Sequence, residues 1–161
     1  MRPRASFAAA FLAVAVAGAG VALAQGVAIL AIDVFDSHPA PARPTARIDN
    51  IRDVQRAFWR CWSPPPLDET VRQVNLTFQV TYKRDGALLG KPGPIAFARE
   101  ITEHERAVYF QAVAETIERC SDMPFTDSMG GAVAGRWFRI AIIDKRRSKQ
   151  TENSWLTTKT F

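Results

Sequence analysis

Three kinds of hydrophobic pattern follow one another along this chain: an unbroken apolar run, a helical period and a period of two. Behind Arg2 and Arg4, the apolar run extends from Ala5 to Ile32 with Ser6 and Gln25 as its polar interruptions. Half of the residues from Ala5 to Ala24 are alanine, and Ala22-Leu23-Ala24 places small residues at the spacing a signal peptidase cuts. Cleavage there starts the exported chain at Gln25. Retention instead makes an anchor, because Gly26 to Ile32 stays apolar past the cut and lengthens the run enough to span a bilayer. In both cases the leading arginines direct the remainder across the inner membrane, into the periplasm or facing it. Residues 1–24 are therefore read as a signal peptide or the first part of an anchor helix, and 25–47 as an apolar stub and linker. Within that segment, Asp36 to Arg47 carries prolines at 39, 41 and 44 and predicts an extended strap with His38 in solvent.

The folded domain is expected over 48–145. Ile51, Val54, Phe58 and Cys61 make one stripe of a helix that Asp49 or Asn50 can cap and Ser63-Pro64-Pro65-Pro66 ends. From Val71 the period becomes two, with Val74, Leu76, Phe78, Val80 and Tyr82 alternating with Asn75, Thr77, Gln79 and Thr81 in a half-buried strand. Asp85-Gly86 suits a type I′ turn into a short return strand over Ala87 to Gly90, which Lys91-Pro92-Gly93-Pro94 stops. Thr102 and Glu105 form a capping box ahead of a second helix whose apolar stripe is Ala107, Phe110, Val113 or Ala114, Ile117 and Cys120. Ser121 to Pro124 ends that helix, and Gly130 to Gly135 reads as a loop. Trp137 to Ile143 then predicts a last strand with Phe138, Ile140 and Ile142 on one face. Residues 146–161 form a basic, then polar tail.

Composition changes this picture little. Apolar residues at 47% and charged residues at 23% are ordinary for one soluble domain. Removing Arg2 and Arg4 lowers the net charge from +5 to +3, which is no nucleic-acid signature. Two cysteines and two histidines allow no four-ligand zinc site beyond a single Cys2His2 arrangement, so a metalloenzyme is not expected. In an exported chain the even pair predicts a disulfide between Cys61 and Cys120, both at the ends of helices facing one core. His104 stands between Glu103 and Glu105 in a first helical turn, where neighbours point apart, so no triad assembles. An enzyme would have to join distant residues such as His104 and Asp127. The run Lys145-Arg146-Arg147 is expected to be solvated at a strand end, with contact to anionic headgroups as the alternative. No cofactor is expected.

A set of residues carries a resemblance: Trp62-Ser63-Pro64-Pro65 before the first strand, the alternating strand Val71 to Tyr82, Asp85-Gly86, the helix from Glu103 to Cys120, Pro124 after it, and the apolar last strand. In this order, over about Asn50 to Asp144, the chain resembles the C-terminal domain of the TonB/TolA family. The resemblance implies an α+β fold: a three-stranded antiparallel sheet with two helices on one face, behind an export or anchor helix. It also implies a noncatalytic cell-envelope module that binds a partner, an envelope protein or peptide of the Tol-Pal or receptor kind, by strand addition at a sheet edge. The expected edge is the last strand, with Trp137, Arg139, Ile140, Ala141, Ile142 and Ile143 as its binding residues. Ser6 is followed four residues on by Ala10 where energised members look like they need a histidine, so coupling to proton flow is not expected. The alternative function is a small secreted periplasmic inhibitor or ligand-binding protein using the basic tail or the Gly130 to Gly135 loop.

Overall fold

A computed structural model describes residues 27–147. The leader, with the cut after Ala24 and the Ser6 and Ala10 positions, and the tail from 148 onward lie outside the described residues. The chain runs β1 (Ala28–Val34), α1 (Ile51–Cys61), β2 (Leu76–Thr81), β3 (Ala96–Phe97), α2 (Glu103–Arg119), α3 (Asp127–Val133) and β4 (Trp137–Asp144). These form an α+β fold with three helices and a four-stranded mixed sheet, ordered β1-β4-β2-β3. The β4, β2 and β3 strands are antiparallel, and β1 joins β4 in parallel. The described fold therefore has one strand and one helix more than the pattern predicts.

Period-two alternation builds the sheet's core face. Leu76, Phe78 and Val80 of β2 lie beside Ile142, Ile140 and Phe138 of β4, and all six are buried. On the same face α1 lays Phe58 against Phe78 and Tyr82, with ring centroids 6.2 and 6.4 Å apart. Val54, Ala57, Phe58 and Cys61 are the buried side of α1, whose Asn50 cap accepts from the Asp53 amide. The disulfide joins Cys61 to Cys120 across a sequence separation of 59, tying the ends of α1 and α2 together.

The extra strand comes from the apolar run. Leu30, Ile32 and Val34 enter the core at 3%, 1% and 0% exposure, while Ile29 and Ala31 face out. This corrects the reading of 25–47 as a stub and a coreless linker. Side chains that fill a protein core cannot also lie in a bilayer, and alanine and isoleucine in the outward positions hid the alternation inside an apolar stretch. The strap after β1 is also held: the Ala42 amide donates to the Arg60 carbonyl at 2.8 Å, and Ile48 is buried.

Two further expectations are corrected. The buried residues of α2 are Glu105, Tyr109, Ala112, Val113 and Thr116, so Ala107, Phe110 and Ala114 of the predicted stripe face outward. Polar groups can line a buried face when each has a partner. Here Tyr109 Oη donates to the Arg72 carbonyl at 2.9 Å, and Thr116 Oγ1 to the Ala112 carbonyl at 2.7 Å. The Gly130 to Gly135 loop is instead occupied by α3 as far as Val133, capped by Thr126, because Gly130 lets the helix meet the Arg84 backbone: a Cβ there would sit 2.0 Å from the Arg84 carbonyl oxygen. The Asp85-Gly86 turn also differs from type I′, since only Gly86 has positive φ, at +90°. The return segment is reduced to single bridges, Tyr82 to Leu88 and Ala87 to Asp122.

Candidate functional site

The expected edge is interior. Arg139, Ile140, Ala141 and Ile142 of β4 pair with β1 on one side and β2 on the other, while Trp137 pairs with β2 and Ile143 with β1. Their backbone groups are committed to those two ladders, so the assignment of β4 as a partner-binding edge is corrected. Of the six side chains, Ile140 and Ile142 are in the core, and only Trp137 and Arg139 are exposed, on the sheet's far face.

The edge next to β4 is β1. Strand residues direct their N–H and C=O groups alternately to the two sides. The Val34 carbonyl accepts from the Lys145 amide beyond the end of β4, so Leu30, Ile32 and Val34 turn their backbone toward β4. Ile29, Ala31 and Asp33 turn theirs to the free side. The Ala31 carbonyl accepts from Gln55 Nε2 of α1, which confirms that direction. Among the described residues no other strand pairs with this side of β1. Ile29 is 64% exposed beside this edge, with Val27 at 43% and Trp137 at 40% on the same open surface.

Alongside the edge runs the outer flank of α1. Arg52, Arg56 and Arg60 recur every fourth residue and are exposed, with the half-buried Trp59 among them. Ala31, Asp33 and Phe35 of the strand and its end, with Arg52, Arg56 and Trp59 of the helix, line a cleft of about 620 Å³. Arg56 pairs with Asp53 at 3.1 Å but remains 71% exposed. Asp33, the carboxylate in the cleft, pairs with Lys145 at 2.8 Å.

The remaining titratable groups hold the fold together. Glu105 is fully buried; its carboxylate accepts from Arg99 at 2.8 Å, from Arg72 Nε at 3.3 Å and from the Thr102 amide at 2.9 Å. The Arg99 guanidinium, with the Thr102 and Arg72 amides and the Arg72 side chain, holds its carboxyl well below the usual carboxylate range against the opposing effect of burial. Burial pushes the Tyr109 phenol up to about 12. His38 is not a solvated strap residue: Nε2 donates to the Trp62 carbonyl at 3.1 Å, and the ring meets Trp59 edge-on at 5.1 Å. Burial lowers its pKa. His104 is exposed on the first turn of α2, and among the described residues no hydrogen bond joins it to Glu103, Glu105 or Asp127. The run Lys145 to Arg147 is not simply solvated either, because its members pair with Asp33, Asp144 and Asp36 in turn. Among the described residues there is no cluster of three metal-ligating side chains, and no helix is long and apolar enough to cross a membrane.

Sequence reasoning missed β1 and the cleft, although both left signals. Asp33 in a polar slot of the Leu30-Ile32-Val34 alternation marks a strand, and arginines at 52, 56 and 60 mark one helical face.

Fold and site define a class: a small disulfide-stapled α+β domain on a mixed sheet, with one long strand edge left open among the described residues beside a basic helix. The chain belongs to the family described as Uncharacterised conserved protein UCP034077, whose family model matches residues 44–146. No curated protein and no solved structure matches it.

Proposed function

We propose that this protein is a noncatalytic binding module of the cell envelope that takes an extended partner segment along the free edge of β1. The carrying observation is the seven-residue edge itself, with the N–H and C=O groups of Ile29 and Asp33 and the N–H of Ala31 directed away from β4. Main-chain ladder bonds supply affinity in such an addition, and flanking side chains supply selectivity. The resemblance to TonB/TolA C-terminal domains supports the mode of binding and an envelope partner of the Tol-Pal or receptor kind. Export is supported by the arginine-led apolar leader and by the disulfide, which persists in oxidising compartments. Because β1 begins at Ala28, a cut after Ala24 leaves the strand intact, and an uncleaved leader holds the edge close to the membrane. The buried carboxylates Glu105 and Asp144 support a noncatalytic reading, since arginines occupy both.

Site-resolved photocrosslinking in cells tests this. A crosslinking residue at position 29 or 31 is expected to trap one discrete envelope partner, and the same residue at position 104, on the first turn of α2, is expected not to. Equal adducts from all three positions, or none from 29 and 31 when 104 yields one, rejects the β1 edge. A soluble hydrolase trapped in place of an envelope protein would support the inhibitor alternative.

A further inference from the structure

The geometry points to an acidic partner segment of alternating character: carboxylates at positions i and i+2 reach Arg52 and Arg56, while the intervening apolar side chains cover Ile29 and Ala31. This rests on the β1-edge reading above and adds the chemistry of what binds there.

Three observations carry it. First, α1 lies on the core face of the sheet, and its outer flank and β1 line the same cleft. A strand added to β1 places every second side chain on the core-face side, toward Arg52, Arg56 and Trp59. Second, the spacings match. Arg52 and Arg56 stand about 6 Å apart along the helix axis, and alternate residues of a strand are about 6.6 Å apart. Third, the charges are available. Arg52 has no ion-pair partner among the described residues, and Arg56 is held only by a surface pair with Asp53 of the kind that contributes little. Asp33 is already matched by Lys145, so the cleft's own carboxylate does not neutralise Arg52 or Arg56. Residues on the other side of the incoming strand meet Ile29 and Ala31, both exposed and apolar. Gln55 already spans from α1 to the Ala31 carbonyl, so a side chain can reach the edge from this helix.

The test uses the intact disulfide-bonded protein and three labelled peptides of equal length: alternating Glu and Val, alternating Lys and Val, and the Glu-Val peptide with a central proline. Fluorescence anisotropy is expected to show the Glu-Val peptide binding at least about tenfold tighter than the Lys-Val peptide, less so at high salt, and the proline peptide binding weakly. The Arg52→Glu, Arg56→Glu double variant is expected to reverse the charge preference. Should it fold poorly, Arg52→Gln with Arg56→Gln is expected to abolish the preference. Binding is also expected to shield the Ala31 and Asp33 amides from hydrogen exchange. Equal binding of the Glu and Lys peptides with that shielding overturns the acidic partner and leaves the edge reading standing. Glu-Val binding without shielding, equal for the proline peptide, overturns the edge reading and with it this proposal. Anionic phospholipid vesicles binding through Arg52 and Arg56 while no peptide binds also overturns it.

Discussion

The two edges of the sheet are built in opposite ways. At one end β3 is only the two residues Ala96–Phe97, preceded by Pro92 and Pro94, which have no amide to donate. Gly93 packs its backbone against β2, donating to the Gln79 carbonyl at 2.8 Å. The helix α2 then covers this end, with Phe110 edge-on to Phe97 at 6.0 Å and the Arg106 guanidinium 5.8 Å from the Phe97 ring centre. At the other end β1 has seven residues, no proline and an exposed isoleucine, Ile29, near the start of its outward face. Long apolar edges invite pairing with other chains, and proteins commonly blunt them. One edge here is shortened, interrupted and covered, and the other is, among the described residues, left long and open. The difference is the one the proposed binding along β1 relies on.

The contrast is broken most severely at the strand between the edges. Ile140→Pro, which removes a ladder donor and a buried isoleucine from β4, is expected to destabilise the domain by about 5 kcal/mol or more and leave it largely unfolded by circular dichroism. A folded, cooperative Ile140→Pro protein would mean that β4 is not central.

Next in size is the bridge that joins the helix beside the open edge to the helix over the closed one. Replacing Cys61 and Cys120 by serine is expected to lower stability by about 4 kcal/mol in urea titrations, as expected for closing a loop with a separation of 59. Unchanged urea midpoints would exclude a stabilising staple.

The closed end has an acid-sensitive latch. Glu105 joins the start of α2 to Arg99 and Arg72, and its folded carboxyl titrates well below its ordinary value of 4.5. A depressed folded pKa stabilises fully above the unfolded value and is lost as pH falls. Stability is therefore expected to decline below about pH 5, and Glu105→Gln to flatten that decline. Near neutral pH the same variant is expected to destabilise by about 1 to 2 kcal/mol, because glutamine keeps the cap while the partly exposed arginines are screened. Parallel pH profiles of thermal midpoint for the two proteins would remove Glu105 from the latch.

The smallest effect on folding sharpens the comparison most. In Ala31→Pro the missing amide lies on the free side of β1, so stability is expected to change by less than about 1 kcal/mol while partner crosslinking at position 29 disappears. Retained crosslinking would place the contact elsewhere.

Much of this architecture was legible in the residues. The α1 stripe apart from the exposed Ile51, the alternation from Val74 to Tyr82, the Thr102–Glu105 capping box, the last strand and the Cys61–Cys120 pair are all local patterns, or a chemistry that permits one pairing. The α2 face was not legible because apolarity alone does not decide burial: Phe110 closes an edge from outside, and Glu105 is buried because two arginines reach it from elsewhere in the chain. The α3 helix was not legible because two glycines in seven residues argue against helix, and only the approach to Arg84 explains Gly130.

By itself, then, the sequence determined which segments alternate, where helices start, the staple, and the arginine-led apolar leader. Only the tertiary structure decided the order of strands, because period-two hydrophobicity specifies which face of a strand is buried and says nothing about which strands lie on its two sides. That order turns Trp137–Asp144 from an edge into the centre of the sheet. It also turns Ala28–Val34 from apparent membrane sequence into the open edge beside Arg52 and Arg56.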